Sequence, residues 1–307
     1  MAHSAAPAVR DSSRAGAAPR RIRSYHRAFA ALLERRFQTL SDLIGRVLRG
    51  RDPEAIHDMR VASRRLQEAL AIAASATRQQ SPPVIRQLRR LRKALGSVRD
   101  LDVQLALLRE IASQLPRPER PRVRVLRQLL GSRRGRQVGK MRGKLGKVDL
   151  PQLVASLQAE VERLGRIPAP VLERTLRRHT GRRRSELARA SIRARSTWEE
   201  TDLHAARICG KRLRYALELG EALEPGSQAE AIAALKKLQN VLGEWHDLVV
   251  LDQTLMDNIG QPKILRDRLE VARTALDLIA RLREKKREKV EAFCAAAGPG
   301  RGGAGRH

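Results

Sequence analysis

Two stretches of this chain each place a histidine ahead of a comb of basic residues at helical spacing. Ile56-His57-Asp58-Met59-Arg60-Val61-Ala62-Ser63-Arg64-Arg65-Leu66 is matched, 147 positions later, by Leu203-His204-Ala205-Ala206-Arg207-Ile208-Cys209-Gly210-Lys211-Arg212-Leu213. At 100° per residue, His57, Arg60 and Arg64 fall on one face of a helix, as do His204, Arg207 and Lys211. Arg65 and Arg212 flank the two ridges. Like charges at i, i+4 destabilise a helix by roughly 0.2–0.5 kcal/mol. Arg60 with Arg64, and Arg207 with Lys211, hold that unfavourable spacing in both copies, which points to an anion site rather than a solvated face. A neutral imidazole beside arginines can donate one hydrogen bond to an oxyanion, so the histidines read as binding groups and not as acid–base catalysts.

The same ungapped offset aligns Leu88-Arg89-Arg90-Leu91 with Leu235-Lys236-Lys237-Leu238, Leu95-Gly96 with Leu242-Gly243, and Asp100-Leu101 with Asp247-Leu248. Arg89, Arg90, Lys236 and Lys237 lie off the leucine stripe, free to reach a ligand. Trp245 stands where the first copy has Val98 and reads as core. Gly96 and Gly243 read as points of close helix approach. Asp100 and Asp247, the acids kept in both copies of this block, read as groups that orient a neighbouring Arg, Lys or His. Such a long offset implies a duplicated bundle rather than a solenoid.

Composition agrees with a polyanion partner. The 307 residues hold 63 Lys and Arg against 33 Asp and Glu, a formal charge of +30. A field of that sign attracts phosphate polymers. Charge alone equally suits a general nucleic-acid binder. Three Phe, two Tyr and two Trp, however, offer few platforms on which unpaired bases could stack. Cys209 and Cys294, the only cysteines, read as reduced fillers in a cytoplasmic protein. No run of 18 apolar residues occurs, so no membrane span is expected.

The elements that must carry these residues are helices. Ala, Leu and Arg dominate and strand-like alternation is absent. Apolar spacing and breakers predict helices near 22–49, 53–77, 81–115, 122–147, 150–164, 171–195, 198–223, 227–258 and 263–296. Asp52-Pro53 supplies an N-cap and an N1 proline for the second. Ile167-Pro168-Ala169-Pro170 marks a boundary between halves. The expected fold is all-α, two four-helix bundles related by internal duplication, over about 21–165 and 168–297. Tails at 1–20 and 298–307 are expected to be disordered; the first has some features of a transit peptide.

Two His-Asp doublets, His57-Asp58 and His246-Asp247, raise a second chemistry, that of the all-helical HD-type metal-dependent phosphohydrolases. The repeat argues against it, because Asp58 aligns with Ala205 and His246 with Arg99.

The duplicated His-x-x-Arg-x-x-x-Arg/Lys-Arg-Leu, followed by Leu-x-x-x-Leu-Gly and an Asp-Leu step, resembles the CHAD family of histidine-containing α-helical domains. Arg60, Arg64 and Arg65 with Val98-Arg99-Asp100-Leu101-Asp102-Val103 look like its first-half signature. His204, Arg207, Lys211, Arg212, Leu213, Arg214 and Tyr215 look like its second. The similarity spans about 21–297. It implies two bundles about a pseudo-twofold axis, binding of inorganic polyphosphate through a basic surface that includes Arg214, and association with polyphosphate granules and their proteins. Nucleic acid would then bind only non-specifically. The Glu-x-Glu-x-Lys motif of a partner triphosphate tunnel domain is absent, so a stand-alone, non-enzymatic binding module without a cofactor is expected. One departure is the density of Arg133, Arg134, Arg136, Lys140, Arg142, Lys144 and Lys147 on the helix near 122–147, which would widen the binding surface or be merely exposed.

Overall fold

The computed structural model describes residues 17–77, 83–117, 119–164 and 166–296. Most of the expected tail over 1–20, and all of that over 298–307, lies outside them. Ten helices and no strand occur among the described residues. They are α1 (Ala17–Arg49), α2 (Pro53–Ala76), α3 (Pro83–Gln114), α4 (Arg120–Leu145), α5 (Leu150–Leu164), α6 (Ala169–Thr197), α7 (Glu200–Leu223), α8 (Ala229–Ile259), α9 (Pro262–Asp267) and α10 (Leu269–Ala296). The chain is all-α, as its periodicity predicts.

Local chemistry sets several boundaries. Asp52 is extended, and its Oδ1 accepts from the amides of Glu54 and Ala55 at 3.0 Å each, while Pro53 opens α2. Gly50 turns the chain between α1 and α2 with φ of +63°, and a Cβ there would come within 2.6 Å of Val138 on α4. Only glycine satisfies both demands. The helix expected over 263–296 is instead two, broken at Arg268 (φ −145°, ψ 46°); no residue type there marks the break.

α1 packs on α2, α2 on α3 and α3 on α4; α6 packs on α7, α7 on α8 and α8 on α10. Across the halves, α2 meets α7, α3 meets α8 and α4 meets α10. The halves also share cores. Phe29, Leu33, Ile56, Leu66, Leu88 and Leu95 fill one core, which Leu172 of α6 and Leu219 of α7 also enter. Ala194, Leu203, Trp245 and Phe293 fill another, with Cys209 and Cys294 packed against it. A third core takes Leu101, Leu108, Leu126 and Leu130 from α3 and α4, and Leu248, Leu255, Leu278 and Leu282 from α8 and α10. Trp245 is buried, as expected for the counterpart of Val98.

α3 and α8 therefore run through more than one core. α3 leaves the first after Val98 and enters the shared one at Leu101; α8 leaves Trp245 and enters it at Leu248. The residues at these crossings are free to face each other.

Candidate anion-binding site

A cavity of about 410 Å³ lies where α2, α3, α7 and α8 meet. The α2 ridge contributes His57, Arg60 and Arg64, and the α7 ridge His204, Arg207 and Lys211. Asp100 of α3 and Asp247 of α8 enter it from the two crossings. The apolar sides of both ridge helices (Ile56, Met59, Leu66 and Leu203, Ala206, Leu213) are buried, so the polar faces are left to meet. Eight residues singled out by the repeat thus share one space.

The remaining sequence candidates lie elsewhere. Arg89, Arg90, Arg212 and Lys237 are exposed and do not line the cavity. Arg65 pairs with Glu218 at 2.8 Å. With Lys236 and Arg36 it borders a separate cleft of about 680 Å³, where Asp42, Asp58 and Glu218 balance the three cations. A charge-balanced cleft offers a polyanion little attraction. Arg214 sits 3.3 Å from Glu218 and stacks on the buried Tyr215 ring, 5.2 Å from its centroid. Arg64 lies over the same ring at 5.9 Å, so Tyr215 helps to fix the guanidinium that faces the cavity. His57 lines the central cavity while Asp58 lines the other cleft, so that doublet does not serve one centre.

The α4 cations divide between structure and surface. Arg134 pairs with Asp102 of α3. Arg142 donates to the carbonyls of Leu48, at 3.0 Å, and Arg49, satisfying the C-terminus of α1. Arg136, Lys140 and Lys144 are exposed, as is Lys147 just beyond the helix, and no α4 residue lines the cavity.

Several lining residues escape a reading based on identity between copies. Arg99 and His246 are each other's counterparts, and both face the cavity. Arg92 also lines it but corresponds to Gln239. An exchange of one basic or imidazole group for another was the signal, and insisting on matching residues hides it. Gln104 and Tyr215 complete the polar lining.

The cavity is short of negative charge. Among the described residues, six cations (Arg60, Arg64, Arg92, Arg99, Arg207 and Lys211) and three histidines line it against two carboxylates. Burial, then Arg207 and Arg64, pulls the Lys211 ammonium down to about 7. Burial with Arg207, His204 and Lys211 pulls His246 down to about 3. His57 is lowered by burial and Arg99, and His204 by burial, Arg207 and Lys211. Burial brings Arg92 to about 10 and also lowers Arg60 and Arg207. Asp100 and Asp247 are raised by burial despite the arginines around them. Burial is the first cause of each of these shifts, and the crowding of like charges the second.

The Nε of Arg207 is buried with no hydrogen-bond partner, a donor that a bound anion or water would satisfy, whereas the buried, unpartnered Oε1 of Gln104 is an acceptor and calls for a donor such as water. The His204 and His246 rings lie 5.2 Å apart beside Arg207. No group of three or more His, Cys, Asp or Glu with metal-ligand geometry occurs among the described residues. No described helix is long and apolar enough to cross a membrane.

A profile of the CHAD domain matches residues 31–256. The crystal structure of the CHAD domain from the plant Ricinus communis is similar to this chain at 25% identity and a TM-score of 0.70, over 88% of this chain and 90% of that one. PptA from Streptomyces chartreusis is similar in fold, at 16% identity and a TM-score of 0.63, over 89% of this chain and 99% of that one. No curated protein matches the chain in sequence.

Proposed function

The chain belongs to the CHAD domain family, and from that membership and the cationic cavity we propose that it binds inorganic polyphosphate, without turning it over, and is recruited to polyphosphate granules. The observation that carries the proposal is the joining of both basic ridges in one cavity with six cations and two carboxylates. Polyphosphate is a flexible string of anions with no bases to read, and planar guanidinium groups match its oxygens in pairs. A cavity enclosed by four helices suits such a thin chain. A duplex would have to lie outside it and touch only scattered surface cations. Tyr215 is buried between two arginines and offers no face for base stacking.

The test is competition at fixed physiological salt. Labelled long-chain polyphosphate bound to the protein should be displaced by unlabelled polyphosphate at much lower phosphate concentration than by duplex DNA or structured RNA. Equal displacement by all three would make the protein a general polyanion binder. In parallel, protein with Mg²⁺ or Mn²⁺ should release no phosphate from polyphosphate or nucleotides above background. Turnover lost on Asp247→Ala would favour a hydrolase instead.

A further inference from the structure

The two halves present matching residues to the cavity, but they do not treat them alike. Arg60 and Arg207 are counterparts. The Nη1 of Arg60 donates to the carbonyl of Arg92 at 3.0 Å. It also lies 3.1 Å from where a Cβ on Gly96 would stand, so the guanidinium occupies the room that this glycine leaves. Arg92 is itself held, through Nη1 to Oε1 of Gln67 at 2.6 Å. The first-half arginine is a strut between α2 and α3.

The second half keeps the corresponding space open. Gly243, the counterpart of Gly96, lines the cavity, and a Cβ there would meet nothing within 4 Å. Arg207 leaves its Nε buried and unpartnered instead of reaching a helix carbonyl. His204 and His246, 5.2 Å apart, and Lys211 complete a group of four basic side chains on α7 and α8. Burial first, and the neighbouring cations after it, lower the proton affinities of His246 and Lys211, and the repulsive part is what one phosphate group would relieve.

We infer that the open volume over Gly243 is the primary phosphate seat of the cavity, with Arg207, Lys211, His204 and His246 as its donors, and that Arg60 acts as a positioning residue. This rests on the polyphosphate reading. It assigns Gly243 as the residue that admits the ligand, and it makes the duplicated halves unequal in use.

Tripolyphosphate binding by calorimetry tests it. Gly243→Leu places a side chain in the seat and should weaken binding about tenfold or more, the loss expected when charged hydrogen bonds to a ligand are blocked. Leucine is the better helix former and meets no neighbour at its Cβ, so this variant should unfold at the same temperature as wild type or a higher one. Weakened binding with undiminished stability separates a filled seat from a damaged fold. Arg207→Gln should lose about tenfold or more as well, whereas Arg60→Gln should lose clearly less. Wild-type affinity in Gly243→Leu, or equal losses in the two arginine variants, would overturn the seat while leaving the polyphosphate reading standing. So would wild-type protein that binds long chains but not tripolyphosphate. Wild-type protein that binds neither would remove the polyphosphate reading itself.

Discussion

Burial first and neighbouring cations second bring a lysine to about 7 and a histidine to about 3 within one cavity, and a bound polyanion would offset the part due to the cations. An anion seated among them would raise these groups back toward their ordinary values of 10.5 and 6.5, so the complex would bind more protons than the free protein. The sign follows: affinity strengthens as pH falls from 10.5 to about 7 through Lys211, levels once both states are protonated there, and strengthens again below 6.5 through His246, His204 and His57. Titrations with long-chain polyphosphate, whose internal phosphates stay ionised throughout, should show this two-stage gain. Calorimetry in buffers of different ionisation enthalpy should show proton uptake. Lys211→Met should abolish the upper stage and leave the lower one. An affinity independent of pH between 7 and 10 would mean that Lys211 does not meet the anion. At this scale the sequence revealed the eight cavity residues that recur in kind between copies, but not Arg92; Arg99 and His246 stood only in the family signature and in the HD-type doublet, because one has replaced the other between copies. Nor could it separate Arg60 from Arg207, because their difference lies in a carbonyl acceptor on a neighbouring helix.

Elements present these residues only if their ends and mutual contacts hold. α2 carries His57, Arg60 and Arg64 within its first half, and Asp52 caps it while pairing with Arg46 at 2.6 Å. Asp52→Ala should lower the midpoint of chemical denaturation, as loss of an N-cap does, and should weaken polyphosphate binding little. The contact between α3 and α4 is more demanding. Asp102 is 5% exposed and Arg134 20%, and Asp102→Ala leaves the guanidinium without its counter-charge. That change should cost about 3–5 kcal/mol, measured in the same way. A loss below about 1 kcal/mol would mean that water reaches the pair and screens it. The cap was legible in Asp52-Pro53, because capping is local chemistry. The duties of Arg134 and Arg142 were not, since a run of seven basic residues gives no hint which of them will meet a buried carboxylate or another helix's terminal carbonyls. Tertiary approach decides that, just as it decides that the Gly243 backbone faces open space while Gly96 faces a guanidinium.

At the scale of the whole molecule, the shared core determines how the halves behave. Its leucines come from α3 and α4 on one side and from α8 and α10 on the other, and the cationic cavity lies at the edge where α3 and α8 enter it. Neither half can bury its share alone. Residues 17–164 produced separately would expose Leu101, Leu108, Leu126 and Leu130, and such species are prone to aggregate. The intact chain should therefore unfold as one cooperative unit, and a substitution in one half should be felt in the other. Leu126 on α4 is 2% exposed, and Leu126→Ala should cost about 2–5 kcal/mol. Both tryptophans, the exposed Trp198 and the buried Trp245, lie in the second half, far along the chain from Leu126. Tryptophan fluorescence thus reports unfolding of the second half, while circular dichroism reports all helices. In Leu126→Ala the two signals should shift together, to the same lower denaturant midpoint, with coincident transitions. If fluorescence keeps the wild-type midpoint while part of the helical signal melts early, the halves are independent, and a cavity built from both would open before the protein unfolds. Adding polyphosphate should then raise only the earlier transition; with a single unit, it should raise the one transition seen by both probes.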